Sequence, residues 1–200
     1  MKRLYPLLVS ALAWFAIISQ LVIMLQTRQV ELAESLIRFF SYFTILTNLA
    51  VALLFGLLAL GKQFAYKWLT PVTVYILVVG LVYQVALRHV WHPQGLQKIV
   101  DELLHSVVPF MAVVYWGYCA GRLRFCWSNL VTYLIYPAVY CAYILVRGCF
   151  SGFYPYYFMN VSVLGGITVT INSFIILLVF VVLSCLFIGI GKWVTKPKQV

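Results

Sequence analysis

Six stretches of this chain run for close to the length of a bilayer crossing and are almost free of charge: Leu4 to Leu25, Phe39 to Leu60, Leu69 to Leu87, Leu103 to Tyr118, Leu130 to Val146, and Ile167 to Gly189. A helix rises about 1.5 Å per residue, so about 20 residues cross a hydrocarbon core about 30 Å thick. Inside lipid every backbone N–H and C=O must find a partner within the protein, which leaves only helices and closed barrels. Barrel strands alternate apolar and polar residues in segments of about ten, whereas these runs are continuous. The expected fold is all-α, a polytopic bundle of six transmembrane helices forming one membrane domain over residues 1 to 200. Composition agrees: 64% of residues are hydrophobic and 9% charged, too little polar surface for a water-soluble fold of this size. There is no internal repeat and no low-complexity linker. The first run follows Met1-Lys2-Arg3 but exceeds a signal-peptide core of about 7–15 residues, so a retained anchor is expected.

The charges orient the bundle. If six spans alternate, Lys2, Arg3, Lys62, Lys67, Arg122, Arg124, Lys192, Lys196 and Lys198 fall on one side. Arg28, Arg38, Arg88, Lys98 and Arg147 fall on the other with all four acids, Glu31, Glu34, Asp101 and Glu102, a net of +1 against +9. Basic loops stay in the cytoplasm, so both termini are expected there. The second, fourth and sixth spans then start from the outer face. The formal charge of +10 is thereby a topology signal, spread over short connectors, and nucleic acid is not an expected partner. Trp68, Trp91, Trp127 and Trp193 near span ends suit interfacial belts. Cys119, Cys126, Cys141, Cys149 and Cys185 lack CxxC spacing and scatter along the chain, giving neither a disulfide framework nor a zinc site. No metal or nucleotide motif is visible and no cofactor is expected. Asn160-Val161-Ser162 is a glycosylation sequon that matters only in a cell that glycosylates.

In this topology the three histidines and all four acids gather in the outer half. Polar groups at membrane depth are costly and mark either function or helix packing. In the second span Ser41, Thr44, Thr47 and Asn48 fall within an arc of about 120° at about 100° per residue, one stripe facing the bundle. Such hydroxyls serve packing by bonding carbonyls one turn earlier, or they do chemistry. In the fourth span Asp101 and His105, four apart, share a face, so the carboxylate can fix the imidazole tautomer. Pro109 has no N–H for the carbonyl of His105, which predicts a kink at the histidine. The fifth span carries Tyr133, Tyr136, Tyr140, Tyr143 and Arg147 as one stripe. It packs inward, or it lines a lipid cavity with Arg147 holding a carboxylate at the mouth. Gln84 and Arg88, four apart, point to the same outer region. The loop near Gly148 to Gly166 carries Tyr154-Pro155-Tyr156-Tyr157-Phe158-Met159-Asn160, an aromatic segment suited to the headgroup zone or to a lid.

Taken together, Phe43-Thr44-Ile45-Leu46-Thr47-Asn48, Leu104-His105-Ser106-Val107-Val108-Pro109 and Tyr154-Pro155-Tyr156-Tyr157-Phe158 resemble the androgen-induced membrane hydrolase family. That family includes the androgen-dependent tissue-factor-pathway-inhibitor-regulating protein and bacterial six-span relatives, which this chain resembles more closely. The resemblance extends by span number and loop order over nearly the whole chain. It implies a multi-pass protein of a cell membrane, a bacterial inner membrane for the nearer relatives, that hydrolyses fatty acid esters of hydroxy fatty acids with an intramembrane threonine nucleophile and a histidine. By position these map onto Thr44 and His105. Thr44 stands four residues before Asn48 where the animal members have three, so Thr47 is a rival nucleophile.

Two functions therefore stand side by side. In the first, a lipid esterase, Thr44 attacks, His105 is the base, Asp101 orients it, and Asn48 or a tyrosine such as Tyr140 or Tyr143 donates to the oxyanion, with Arg147 and Arg88 at the substrate. In the second, the chain is a non-catalytic transporter or scaffold, and the stripe serves packing alone. Membrane lipids are the expected surroundings in both. The oligomeric state is left open.

Overall fold

The computed structural model describes residues 3 to 195, so Lys2, Lys196 and Lys198 of the charge split lie outside the described residues. The described chain is helical with no strand. It divides into two compact units, residues up to Arg124 together with those from Gly191 onward, and Phe125–Ile190.

The first unit begins with α1 (Leu4–Thr27), which packs most extensively on α3 (Phe43–Ala59). Small residues are among those buried on α1, Ser10, Ala13 and Ala16 beside Val9 and Ile17. Ser10 Oγ donates to the carbonyl of Ala52 at 2.7 Å, and a Cβ placed on Gly56 would stand 3.3 Å from that same Oγ. With no hydrophobic force between helices in lipid, close approach of small residues plus a side-chain hydrogen bond is what joins them.

The expected second span, starting at Phe39, is instead broken. α2 (Leu32–Phe39) meets α3 at a bend of 70°. Ser41 Oγ donates to the carbonyl of Ile37 at 2.7 Å, taking a carbonyl at the end of α2, and Tyr42 is extended (φ −78°, ψ 125°). A serine bonding back one turn competes with continued helix, and an extended residue ends it. α2 carries the Glu34–Arg38 pair at 2.7 Å, one helical turn apart.

α4 (Tyr66–Val82) follows a 3-10 turn at Gln63–Ala65 and runs on into a π-helical turn at Tyr83–Leu87. α5 (Gly95–Glu102), a second π turn at Leu103–Val107, and α6 (Val108–Cys119) form one continuous rod extended to Arg122 by a 3-10 turn. The fourth span is therefore longer than the expected Leu103 to Tyr118, because the polar turn of α5 precedes it without a break. The kink expected before Pro109 takes the form of the π turn: with no N–H available four residues on, the helix widens by one residue at His105.

In the second unit α7 (Asn129–Ser151) is closed by Gly152 in the left-handed region (φ 68°), the usual helix stop for a residue without Cβ. α8 (Val161–Thr195) contains non-helical Gly165 (φ 76°, ψ 158°), and its last residues, from Gly191, fall in the first unit. Between the two, Tyr156 stacks on Phe158 at 5.2 Å, and Asn172 Nδ2 donates to the carbonyl of Phe158 at 2.8 Å. The aromatic loop is thus clamped to α8. Gly148 makes room for it: a Cβ there would collide with the ring of Tyr154.

Among the described residues five helices, Leu4–Thr27, Gln63–Leu87, Gly95–Arg122, Asn129–Ser151 and Val161–Thr195, are long and apolar enough to cross a membrane, or six if the bent pair α2–α3 is one span. Large apolar side chains stand exposed along them, among them Phe110, Ile167, Phe174 and Leu178. Large apolar side chains exposed on long apolar helices are consistent with a multi-pass membrane protein.

Candidate functional site

The four stripe residues are buried, Ser41 in the bend before α3 and Thr44, Thr47 and Asn48 on α3 itself. Ser41, Thr47 and Asn48 are fully enclosed and Thr44 is 8% exposed. Because α3 starts only at Phe43, Thr44 stands in the first turn of the helix rather than a turn or two inside it. Helix N-termini carry partial positive charge and favour negative charge placed beside them.

The stripe faces the π turn of the α5–α6 rod. Thr44 Oγ1 lies 3.4 Å from His105 Nε2. On the other side of the ring, Nδ1 is 2.9 Å from the backbone carbonyl of Asp101 and 3.3 Å from Asp101 Oδ1. A carbonyl oxygen can only accept, so Nδ1 carries the proton and donates. Nε2 then carries its lone pair on the side of Thr44, with the hydroxyl oxygen within reach of it. The sequence spacing Asp101–His105 delivers this orientation chiefly through the backbone, with the carboxylate as the longer contact. Asp101 is itself buried, and its Oδ2 has no hydrogen-bond partner. A buried carboxylate in that state is costly unless charge develops beside it.

Asn48 ties the two elements together. Its Nδ2 donates to the carbonyl of Thr44 at 2.9 Å and to that of Leu104 at 3.2 Å. Both of its N–H groups are thereby committed to backbone, one on each side of the contact. Asn48 fixes the separation of Thr44 from the histidine turn and has no donor left to offer an oxyanion. Thr47 is fully buried, one turn deeper than Thr44 and away from the first turn of α3.

Beside this pair runs a closed cycle of hydrogen bonds. Arg88 Nη2 meets Glu102 Oε1 at 2.9 Å, and Arg88 Nη1 donates to Gln84 Oε1 at 2.7 Å. Gln84 Nε2 donates to Ser106 Oγ at 3.0 Å, and Ser106 Oγ donates to Glu102 Oε2 at 2.6 Å. The sequence paired Gln84 with Arg88 but gave no sign of Ser106 and Glu102, which join them only because α4 packs on the rod. Arg88, expected at the substrate, is engaged with Glu102.

Two further residues escaped the sequence reading. Tyr83 stacks on the imidazole of His105, ring centroids 4.4 Å apart and planes 16° from parallel. One turn earlier Gly80 faces the rod so closely that a Cβ there would stand 3.0 Å from the His105 carbonyl oxygen and 3.3 Å from Pro109 Cβ. A glycine inside an apolar helix is the signal that could have flagged a close helix approach.

Tyr140, Tyr143 and Arg147 belong to α7 of the second unit, where the Arg147 guanidinium lies 4.9 Å over the ring of Phe153. Among the described residues no group of three histidine, cysteine or acidic side chains could hold a metal ion.

No known protein family, curated protein or solved structure matches this chain. What the site can do rests on its own geometry.

Proposed function

We propose that this chain is a six-span protein of a cell membrane with both termini in the cytoplasm, and that it hydrolyses lipid esters with Thr44 as nucleophile and His105 as general base. The observation that carries this reading is a threonine hydroxyl 3.4 Å from the lone-pair nitrogen of a histidine whose other nitrogen is held by Asp101. A hydroxyl is a weak nucleophile until a positioned base takes its proton, and a base is useful when a third group fixes its tautomer. Contacts of this kind are often loose before substrate binds, so 3.4 Å is a serviceable starting distance.

In the reaction Thr44 transfers its proton to His105 Nε2 while its oxygen bonds to the ester carbonyl carbon. The negative charge on the tetrahedral oxygen forms at the positive end of α3, where a charge is favoured. As the carbon–oxygen bond breaks, the imidazolium gives its proton to the departing alcohol. Water then attacks the acyl-threonine, His105 takes a proton from it, and the fatty acid leaves as Thr44 regains its hydrogen. Asp101 stabilises the imidazolium in both halves. The family resemblance supports fatty acid esters of hydroxy fatty acids as the substrate class. Thr44 is preferred to Thr47 because it is the hydroxyl that meets Nε2.

Fluorophosphonate labelling and ester turnover on purified protein test the reading. Wild type and Thr47→Ala should label, whereas Thr44→Ala and His105→Ala should not. Equal labelling in all four proteins, or none in a folded wild type, overturns it and leaves the scaffold reading.

A further inference from the structure

Tyr83, the first residue of the π turn that continues α4, is buried against the histidine turn. Its ring covers one face of the His105 imidazole, centroids 4.4 Å apart, while the Asp101 carboxylate approaches the same imidazole at its edge, through Nδ1. Tyr83 is 4% exposed, so the stack is shielded from its surroundings. Contacts made only in the plane of an imidazole, as at its two nitrogens, leave the ring free to tip out of that plane and loosen its hold on one tautomer. A flat ring lying nearly parallel on its face blocks that motion, and an aromatic face attracts a neighbouring cation.

The backbone on both sides is shaped for this stack. Tyr83 opens a π turn, and His105 sits in the middle of another; such single wide turns re-aim side chains and recur at functional sites. Three residues before Tyr83, on the same face of the helix, Gly80 lets α4 approach to within contact of the His105 carbonyl, the group freed by Pro109. A helix held further off would leave a gap between the rings.

We infer that Tyr83 is the positioning residue that keeps His105 in its Nδ1-protonated form with Nε2 aimed at Thr44, its ring supporting the imidazolium once the proton has moved. The inference rests on the esterase reading for its catalytic consequence but not for its geometry.

The test uses full-length protein in lipid nanodiscs with 15N- and 13C-labelled histidine, the His105 signals being assigned by their loss in His105→Gln. Wild type should show a neutral ring protonated at Nδ1, with ring protons shifted upfield by the stacked tyrosine. Tyr83→Phe keeps the ring and should keep both signatures, with kcat within about threefold of wild type. Tyr83→Leu removes the stack: the upfield shift should vanish, the tautomers should mix, and kcat should fall about tenfold or more with KM changed less than twofold. An unchanged tautomer and kcat in Tyr83→Leu overturns the inference. Should that variant not fold, the wild-type spectrum decides alone, since a His105 ring without the upfield shift is not stacked. A folded wild type that shows both NMR signatures but turns over no ester refutes the esterase reading and leaves Tyr83 as the residue that fixes the ring.

Discussion

Gly80→Ala probes the approach of α4 to the histidine turn. The added methyl would meet the His105 carbonyl oxygen at 3.0 Å, Pro109 Cβ at 3.3 Å and Pro109 Cγ at 3.5 Å. The first atom is backbone and the others belong to a closed ring, so no side chain can rotate away. Comfortable contacts lie near 3.5–4.0 Å, and the helices must part by roughly half an ångström. Overpacking of this kind costs about 1–3 kcal/mol, while alanine gains about 1 kcal/mol over glycine in a helix interior. The net is a loss of about 0–2 kcal/mol, or a midpoint lowered by up to about 8 °C for a chain of this length. Function should suffer more than stability. The Thr44–His105 contact is already 3.4 Å, and moving the histidine backbone by a few tenths of an ångström takes it past hydrogen-bond range. The assay is thermal unfolding in detergent paired with fluorophosphonate labelling rate. A variant that melts higher than wild type, as helix propensity alone would dictate, and labels at the wild-type rate would refute the close approach and the positioning built on it.

Asn48→Leu should lower stability by about 1–3 kcal/mol, since it strips one hydrogen bond from each of two buried carbonyls; chemical denaturation measures this, and a neutral result would show that Asn48 does not tie α3 to the histidine turn. Arg88→Ala should change the unfolding midpoint little, because Arg88 and Glu102 are roughly half and one-third exposed and exposed pairs contribute about 0–1 kcal/mol. His105→Ala should lower ester turnover per folded molecule about 10²- to 10⁴-fold, the usual contribution of a general base, and should also lower the unfolding midpoint, since it removes a nearly buried ring from Tyr83 and Asp101. Topology is open to a chemical check: Cys126 and Cys149 are exposed free thiols near opposite ends of α7. In cells carrying single-cysteine variants, a membrane-impermeant maleimide should label Cys149 from outside and leave Cys126 unlabelled, and the reverse pattern would invert the proposed orientation.

The apolar runs by themselves determined that the chain is helical and suited to a membrane, because in lipid a continuous apolar segment of about 20 residues has only one way to satisfy its backbone. The shared burial of Thr44, Thr47 and Asn48 was legible because side chains at helical spacing share a face wherever the helix lies; Ser41, expected on the same arc, lies instead in the bend before α3 and is buried there. The alignment of Asp101 with His105, four residues apart on one helix, was legible too. Three features were decided elsewhere. The 70° bend that brings Thr44 to the start of α3 depends on Ser41 bonding back to Ile37, a choice between local hydrogen bonds that apolar periodicity does not register. The π turn at His105 was visible only as a missing donor at Pro109; whether the helix kinks or widens is set by what packs against it. Tyr83 and Gly80, 22 and 25 residues before His105 in the chain, have no local relation to it. Only the packing of α4 on the α5–α6 rod brings an aromatic face and a bare backbone to the imidazole, since contacts between helices are fixed by which surfaces fit and not by residue spacing along either one.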